Sequence, residues 1–249
     1  LGSREGLDVL FFELASEDRL SILRQLCIVN LKMQDIARKL NLTATEASRQ
    51  LQRMSKANLI ERLPDGTYTT MHFGRLILDL SASMDFAFKN KEYFSEHYIW
   101  NLPISFIYRL GELSQCTLSS ILAENMIRWE NMIKNAEKHV WVMTPQVMPN
   151  LSRIMVEKLQ QGIKLRSIIG EAPLETLKAY IATGKNVERK TLKQVPVILL
   201  ITEKEASVSL PHINGQIDIS TFFGIDPNFL KWSNDLYQHY WNQAICGDL

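Results

Sequence analysis

One stretch constrains the fold of this chain more than any other: QDIARKLNLTATEASRQLQRMSKANLIER, from Gln34 to Arg62. Its first part and the residue before it carry apolar residues at the i, i+3, i+4, i+7 spacing of one helix face, at Met33, Ile36, Ala37 and Leu40. The pattern stops at Asn41-Leu42, and Thr43-Ala-Thr-Glu46 then fits a capping box that opens another helix. Two short helices joined this closely predict a helix-turn-helix.

A further helix is predicted just before this pair. Ser16 can cap a helix start, and Glu17 and Asp18 place negative charge at the positive end of the helix dipole. Leu20, Leu23 and Cys27 then form an apolar stripe at helical spacing. We therefore expect three helices, with the third beginning at Thr43.

The third helix has two different sides. Its apolar side is predicted to face the other helices and consists of Ala47, Leu51 and Met54. The opposite side is a polar row with two flanking residues, namely Thr45, Arg49, Gln52 and Lys56 with Ser48 and Arg53 beside them. These residue types can donate hydrogen bonds to base edges and phosphates in a major groove. We interpret the helix as a recognition helix; the alternative is an ordinary solvated face.

The residues that follow predict a β-hairpin. Ile60 to Leu63 and Thr67 to Thr70 read as short strands around the turn-forming Pro64-Asp65-Gly66. Residues 31–62 also carry seven Lys or Arg against three Asp or Glu, a local charge of +4 in a chain of net charge +1. A locally basic segment suits contact with phosphates. The order of helices and hairpin resembles the winged-helix transcriptional regulators of the arsenic-repressor-like kind.

That resemblance implies double-stranded promoter DNA as the partner, with the third helix in the major groove and the wing beside the backbone. The residues expected to contact or position DNA are Lys32, Thr43, Thr45, Glu46, Ser48, Arg49, Gln52, Arg53, Lys56, Arg62, Gly66 and Tyr68.

An amphipathic helix is predicted after the wing. Apolar residues recur there at alternating steps of four and three, at Phe73, Ile77, Leu80, Met84 and Ala87. This is a coiled-coil-like seam of about two heptads. It fits either a dimer helix or a helix packed on its own chain. One winged helix alone seldom gains enough specific affinity, so we favour a homodimer.

The remainder alternates strand and helix. Strands are predicted at residues 138–145, 163–169, 195–202 and 206–211, and helices at 150–161, 174–183 and 227–244. Such alternation predicts an α/β sheet covered by helices. We therefore predict a two-domain α+β or α/β chain, with a winged helix-turn-helix at 10–71, a connecting helix at 72–91 and a sensor domain at 92–249.

This second part contains several segments that resemble a known family. In order they are EYFSEH, YRLGEL, QGIKLRSII and DPNFLKWSNDLYQHYW, beginning at Glu92, Tyr108, Gln161 and Asp226. With the winged helix they look like archaeal transcriptional regulators related to the methanogenesis and filament-formation regulator. The resemblance implies a DNA-binding regulator whose second domain senses or transmits a signal. The sheet pattern is also similar to degenerate phospholipase D-like domains.

No enzyme is predicted. The segment HINGQID, from His212 to Asp218, departs from the H-x-K-x4-D of phospholipase D-type hydrolases, because Asn214 replaces the lysine and the aspartate comes one residue early. A diester hydrolase needs the phosphate charge neutralised. Two alternatives remain open: a phospholipase D-like phosphodiesterase tethered to DNA, and a winged helix used only for protein interaction. The retained Arg, Gln and Lys row disfavours the second.

A small polar effector is expected where strand ends converge. The candidate residues are Thr144, Gln146, Glu171, His212 and Asn214. The alternative is a sheet edge with ordinary polar loops. No metal or cofactor is predicted, because the three cysteines and the remaining histidines are scattered. The sequence shows no membrane span or secretory signal, so we expect a cytoplasmic protein.

Overall fold

The computed structural model describes residues 6–170, 185–215 and 218–246, and the chain divides into two compact units, Leu1–Ala82 and Ser83–Leu249. The expected helix at 174–183 and the candidate Glu171 lie outside the described residues. No helix among the described residues is long and apolar enough to cross a membrane.

The first unit is a winged helix, as predicted. Its helices are α1 (Leu7–Leu14), α2 (Glu17–Ile28), α3 (Met33–Lys39) and α4 (Ala44–Lys56), followed by the start of α5 (His72–Lys89). Its antiparallel sheet has the order β1-β3-β2, formed by β1 (Leu31–Lys32), β2 (Ile60–Arg62) and β3 (Thr67–Thr70). Asn41, with φ of 55°, supplies the left-handed residue that separates α3 from α4.

The core of this unit corrects the predicted stripe of α2. Leu23 is buried as expected, but Leu20 and Cys27 are only partly buried. The face that points inward carries Arg19, Ile22, Leu23 and Leu26, which also have the i, i+3, i+4, i+7 spacing. The predicted stripe lies to one side of this face, because an arginine at the start of the buried face gives no apolar signal in the sequence. Ser16 does cap the helix, accepting a hydrogen bond from the Arg19 amide.

Arg19 joins three helices through its guanidinium. Only 7% of the residue is exposed. It donates to the carbonyl of Phe12 at 2.7 Å, to the carbonyl of Glu13, and to Oε1 of Gln50 on α4 at 3.0 Å. The last carbonyls of a helix lack intrahelical partners. Arg19 therefore caps the end of α1 and attaches it to α4.

A second arginine is tied to the same helix end. Arg53 of α4 donates to both carboxylate oxygens of Glu13, at 2.6 and 3.1 Å, and its guanidinium lies 5.0 Å from the centre of the Phe12 ring. The hydrogen bonds from Arg53 are the largest cause holding the pKa of Glu13 below its usual value, against the opposing effect of burial. The pair contributes to stability only while Glu13 is ionised.

Helix α5 begins in direct contact with the backbone of the wing. A Cβ added to Gly74 would lie 2.1 Å from the carbonyl oxygen of Leu59, which also accepts a hydrogen bond from the amide of Met71 at 3.0 Å. Only glycine allows helix and strand to approach so closely.

The expected seam of α5 is partly wrong. Ile77 packs against the core of the first unit instead of lying on a free face. The exposed apolar row is Phe73, Leu76, Leu80, Met84 and Phe88. The error arose because a heptad pattern cannot tell which of two adjacent apolar residues, Leu76 or Ile77, faces outward.

The second unit contains a mixed eight-stranded sheet. Its helices are α6 (Lys91–Glu96), α7 (Ile104–Ile107), a 3₁₀ helix (Leu110–Leu113), α8 (Leu122–Lys134), α9 (Pro149–Gln160) and α10 (Pro227–Gln243). Its strands are β4 (Thr117–Ser119), β5 (His139–Thr144), β6 (Lys164–Gly170), β7 (Val187–Leu192), β8 (Ile198–Thr202), β9 (Ala206–Ser209), β10 (Thr221–Gly224) and β11 (Ile245–Cys246).

The strand order is β11-β7-β6-β5-β8-β9-β10-β4. Strands β5, β6 and β7 run parallel, and the other neighbours are antiparallel. Because β8 reverses direction and β9 reverses it again, β9 ends at the same edge as β5 and β6. One face packs on α10 through Phe229, Trp232 and Leu236, and the other on α8 and α9. The predicted sheet covered by helices is confirmed, and it is mixed.

Gly74→Ala tests the close approach of α5 to the wing. The added Cβ collides with backbone that cannot rotate away, so we expect the first unit to lose about 1–3 kcal/mol of stability, the usual cost of overpacking. Thermal unfolding followed by circular dichroism measures the loss. Asp79→Ala, at an exposed position of the same helix, is the control and should melt near wild type. Equal melting of the two variants would contradict the packing argument.

Glu13→Gln tests the carboxylate that holds Arg53. A pKa lowered by folding means that the ionised form adds stability above the ordinary value of 4.5, and that this stability is lost as pH falls through the folded pKa. The variant should therefore melt below wild type at neutral pH. The difference should shrink as the pH is lowered below the usual carboxyl range. A difference in Tm that stays constant with pH would count against the pair.

Candidate functional site

Helix α4 starts with the predicted capping box. Oγ1 of Thr43 accepts a hydrogen bond from the amide of Glu46 at 3.2 Å, and Oε2 of Glu46 accepts from the amide and hydroxyl of Thr43 at 2.9 and 2.7 Å. Hydrogen bonds from the Thr43 backbone and side chain lower the pKa of Glu46. Both side chains are thus engaged in fixing the first turn of α4.

The polar row of α4 is exposed along its length. Ala47, Leu51 and Met54 are buried, with 0, 1 and 0% of each residue exposed. The exposed residues opposite them are Thr45, Arg49, Gln52 and Lys56. Ser48 is partly buried beside this row. The helix therefore presents about one hydroxyl, guanidinium, amide or ammonium group per turn on the side away from its core.

Arg53 differs from this row. It is partly buried, and two of its nitrogens donate to Glu13. The sequence did not indicate this partner, because Glu13 precedes Arg53 by forty residues and lies in α1, a helix that was not predicted. Arg19 and Gln50, which hold α1 to α4, were missed for the same reason.

The wing carries two further basic residues on the surface of the first unit. Lys32 and Arg62 are exposed, on β1 and β2. Gly66, with φ of 83°, makes the turn between the wing strands, and Oδ1 of Asp65 accepts hydrogen bonds from the amide and hydroxyl of Thr67. These bonds lower the pKa of Asp65, the hydroxyl being the larger cause. Tyr68, in contrast, packs against the core of the unit.

In the second unit, the expected effector residues fall into two different places. Thr144 and Gln146 line a pocket of about 70 Å³ between the sheet and helices α8 and α9. His212 instead lines a cleft of about 520 Å³, together with Pro145, Gly170 and Lys193. The amide of Asn214 donates to Nδ1 of His212 at 3.3 Å. The two sets are separated because Thr144 and Pro145, although adjacent, face opposite sides of the sheet.

The end of the HINGQID segment is bound to a buried histidine. Oδ2 of Asp218 lies 2.5 Å from Nε2 of His97, and Nδ1 of His97 lies 2.6 Å from the carbonyl oxygen of Tyr93. Both ring nitrogens of His97 therefore lie within hydrogen-bond distance of an oxygen atom. Burial opposes ionisation of Asp218, but hydrogen bonds from His97, Ser220 and Ile219 outweigh it and lower its pKa. Asp218 is thus used in a structural pair.

No metal site accompanies these groups. Within the described residues, no cluster of three or more His, Cys, Asp or Glu side chains could hold an ion.

Comparison with solved structures gives distant likenesses. The archaeal chromatin protein TrmBL2, described as showing a novel mode of DNA binding, is 14% identical, covers 98% of this chain and 96% of its own, with a TM-score of 0.46. NucT from Helicobacter pylori is 12% identical over 53% of this chain and 98% of its own, with a TM-score of 0.45. The phospholipase D family member Nuc from Salmonella typhimurium is 14% identical over 52% and 94%, with a TM-score of 0.40. Such low scores decide nothing about function.

Two family models match the chain in the expected order. Residues 16–62 match the bacterial regulatory protein, arsR family, and residues 124–243 match the middle domain of the methanogenesis regulatory protein FilR1. A search of curated protein sequences finds no match. The resemblance stated from the sequence is confirmed: an arsR-type helix-turn-helix match is followed along the chain by a match to a FilR1-type middle domain.

Proposed function

We propose that the chain regulates transcription by placing α4 in the major groove of promoter DNA, with the wing beside the backbone. One observation carries the proposal: a capped helix buries one side and exposes Thr45, Arg49, Gln52 and Lys56 on the other, within an arsR-type helix-turn-helix. These side chains match the donors that read base edges and bind phosphates. Such a protein works where the DNA is, in the cytoplasm.

The expected contact residues take different roles in this proposal. Arg49, Gln52, Thr45 and Ser48 face bases, since they lie along the exposed side of α4. Lys32, Lys56 and Arg62 neutralise phosphates, and Gly66 and Tyr68 set the shape of the wing. Thr43 and Glu46 act by fixing the first turn, and Arg53 contacts a phosphate with the nitrogen that Glu13 does not hold.

The exposed row of α5 supports a homodimer. Phe73, Leu80, Met84 and Phe88 are 43, 64, 58 and 72% exposed, on one side of an 18-residue helix. A contiguous apolar row of this kind seldom stays in water. A second copy of the same chain covers it symmetrically and presents two recognition helices to a palindromic site.

The FilR1-type unit is proposed to sense a signal, because it supplies a sheet with two cavities and no described catalytic cluster. The competing function is a phosphodiesterase, which rests on His212 and Lys193 lining one cleft. Against it, the carboxylate of Asp218 is bound to His97. An assay of bis(p-nitrophenyl) phosphate hydrolysis distinguishes the sensing function from the phosphodiesterase function. Hydrolysis by the wild type that His212→Ala abolishes would favour the phosphodiesterase.

Base and phosphate contacts respond differently to substitution. Arg49→Ala and Gln52→Ala should each cost about 1–3 kcal/mol at the specific site and relax discrimination against other sequences. Lys32→Ala and Lys56→Ala should weaken all DNA alike and flatten the dependence of affinity on salt. Fluorescence anisotropy at several salt concentrations measures both effects. Unchanged binding by the double variant Arg49→Ala, Gln52→Ala would refute the role of α4.

The dimer is tested by placing charge in the exposed row. Leu80→Asp and Met84→Asp together should give a folded monomer, because both side chains are exposed within one chain and only an interface would bury the new charges. Light scattering measures the mass. Ile77→Asp is the contrasting variant, and it should unfold the first unit. A wild-type protein that is monomeric at micromolar concentration would contradict the proposed homodimer.

A further inference from the structure

The pocket between the sheet and helices α8 and α9 is built around a polar pair. Strand register places Leu200, Val142, Ser167 and Arg189 side by side across β8, β5, β6 and β7. These four residues therefore share the face that packs on α8 and α9. The rest of the pocket wall is mainly apolar, including Trp129, Leu151, Met155, Leu165 and Ile169.

Ser167 has no packing reason to be polar. It is 4% exposed, and its buried Oγ forms no hydrogen bond with any described residue. Buried hydroxyls in folded proteins are nearly always bonded, because burying one without a partner is unfavourable. Its sheet neighbours Val142 and Leu165 show that an apolar side chain fits this region. A serine here is therefore explained best by a ligand that bonds to it.

Two features make the pocket favourable for negative charge. On β7, Arg189 lies directly beside Ser167, and it lines the same pocket. Helix α9 begins at Pro149 with no side-chain cap, and its first turn lines the pocket through Met148, Leu151 and Ser152. The positive end of a helix dipole and its free amides attract anions.

The size of the pocket limits what can enter. A cavity needs roughly 10–15 Å³ to hold one water molecule. A pocket of about 70 Å³ therefore holds about five or six non-hydrogen atoms. The apolar wall matches a hydrocarbon body, and the polar pair matches a single anionic head group. A small, largely apolar molecule therefore fits this pocket better than a sugar or a nucleotide does.

We propose that this pocket binds a short branched- or straight-chain carboxylic acid. The carboxylate accepts hydrogen bonds from Oγ of Ser167 and from Arg189, and the hydrocarbon chain lies against Val142, Leu151 and Met155. The inference rests on the proposed sensing function and names its ligand class. The proposed ligand differs from the expected polar metabolite. Of the expected effector residues that the structure describes, Thr144 and Gln146 line this pocket, and the hydroxyl of Thr144 donates to the carbonyl of Gln146.

Equilibrium dialysis with labelled isobutyrate tests the proposal on the whole chain. Isobutyramide has the same shape without charge and is the matched ligand control. We expect saturable binding of isobutyrate, with competition by unlabelled butyrate and at least tenfold weaker competition by isobutyramide. Absence of saturable binding by the folded protein overturns the proposal. DNA binding is measured separately, in the absence of isobutyrate. Failure of the ligand proposal is therefore distinguishable from failure of the proposed DNA-binding function.

Three variants locate the site. Ser167→Ala should weaken isobutyrate binding at least tenfold without loss of folding. Ser167→Val narrows the pocket and replaces the unbonded hydroxyl with methyl groups, so it should raise the Tm of the free protein and abolish binding. His212→Ala changes the separate cleft and should bind isobutyrate as wild type does. Binding that survives Ser167→Val, or that is lost only in His212→Ala, would place the acid elsewhere and overturn the proposal.

Discussion

The DNA-binding unit depends on one buried cation. Arg19 donates to the last carbonyls of α1 and to Gln50 of α4, so a single guanidinium fixes three helices. Burying a positive charge is costly unless its donors are satisfied, and here carbonyl and amide oxygens satisfy them. Through Glu13 the same corner also orients Arg53. The direction in which α4 presents its polar row is therefore set by residues outside the row itself.

The second unit shows how strand direction and pleat act together. The two reversals at β8 and β9 bring the end of β9 to the edge where the parallel strands β5, β6 and β7 also end. Ligands of α/β sheets usually bind at such an edge. The pleat then sends consecutive side chains to opposite faces. Thr144 consequently lines the pocket between the sheet and helices α8 and α9. His212 instead lines the separate cleft, together with Pro145 and Gly170. Residues at the same edge of the sheet therefore belong to one site only if their side chains also lie on the same face.

The sequence predicted the elements whose apolar residues recur at a clear period. Helix α4 with its capping box, the wing around Gly66, strands β5, β6 and β8, and helix α10 are confirmed. Strand β7 was missed because VERKTL has almost no apolar alternation, and β10 because TFFG is short and buried on both sides. Arg19 and Ser167 were missed because a local pattern does not show that a polar residue is buried. Only the tertiary neighbours reveal that.

The order of strands also bears on how the chain folds as it is synthesised. The first and last strands of the second unit, β4 and β11, form its two edges, and β4 pairs with the late strand β10. Contacts between residues so distant in sequence form slowly, because a long loop must close first. The winged helix, whose contacts are local, is complete long before then. A ribosome therefore displays a finished DNA-binding unit while the sheet that follows it still has open edges.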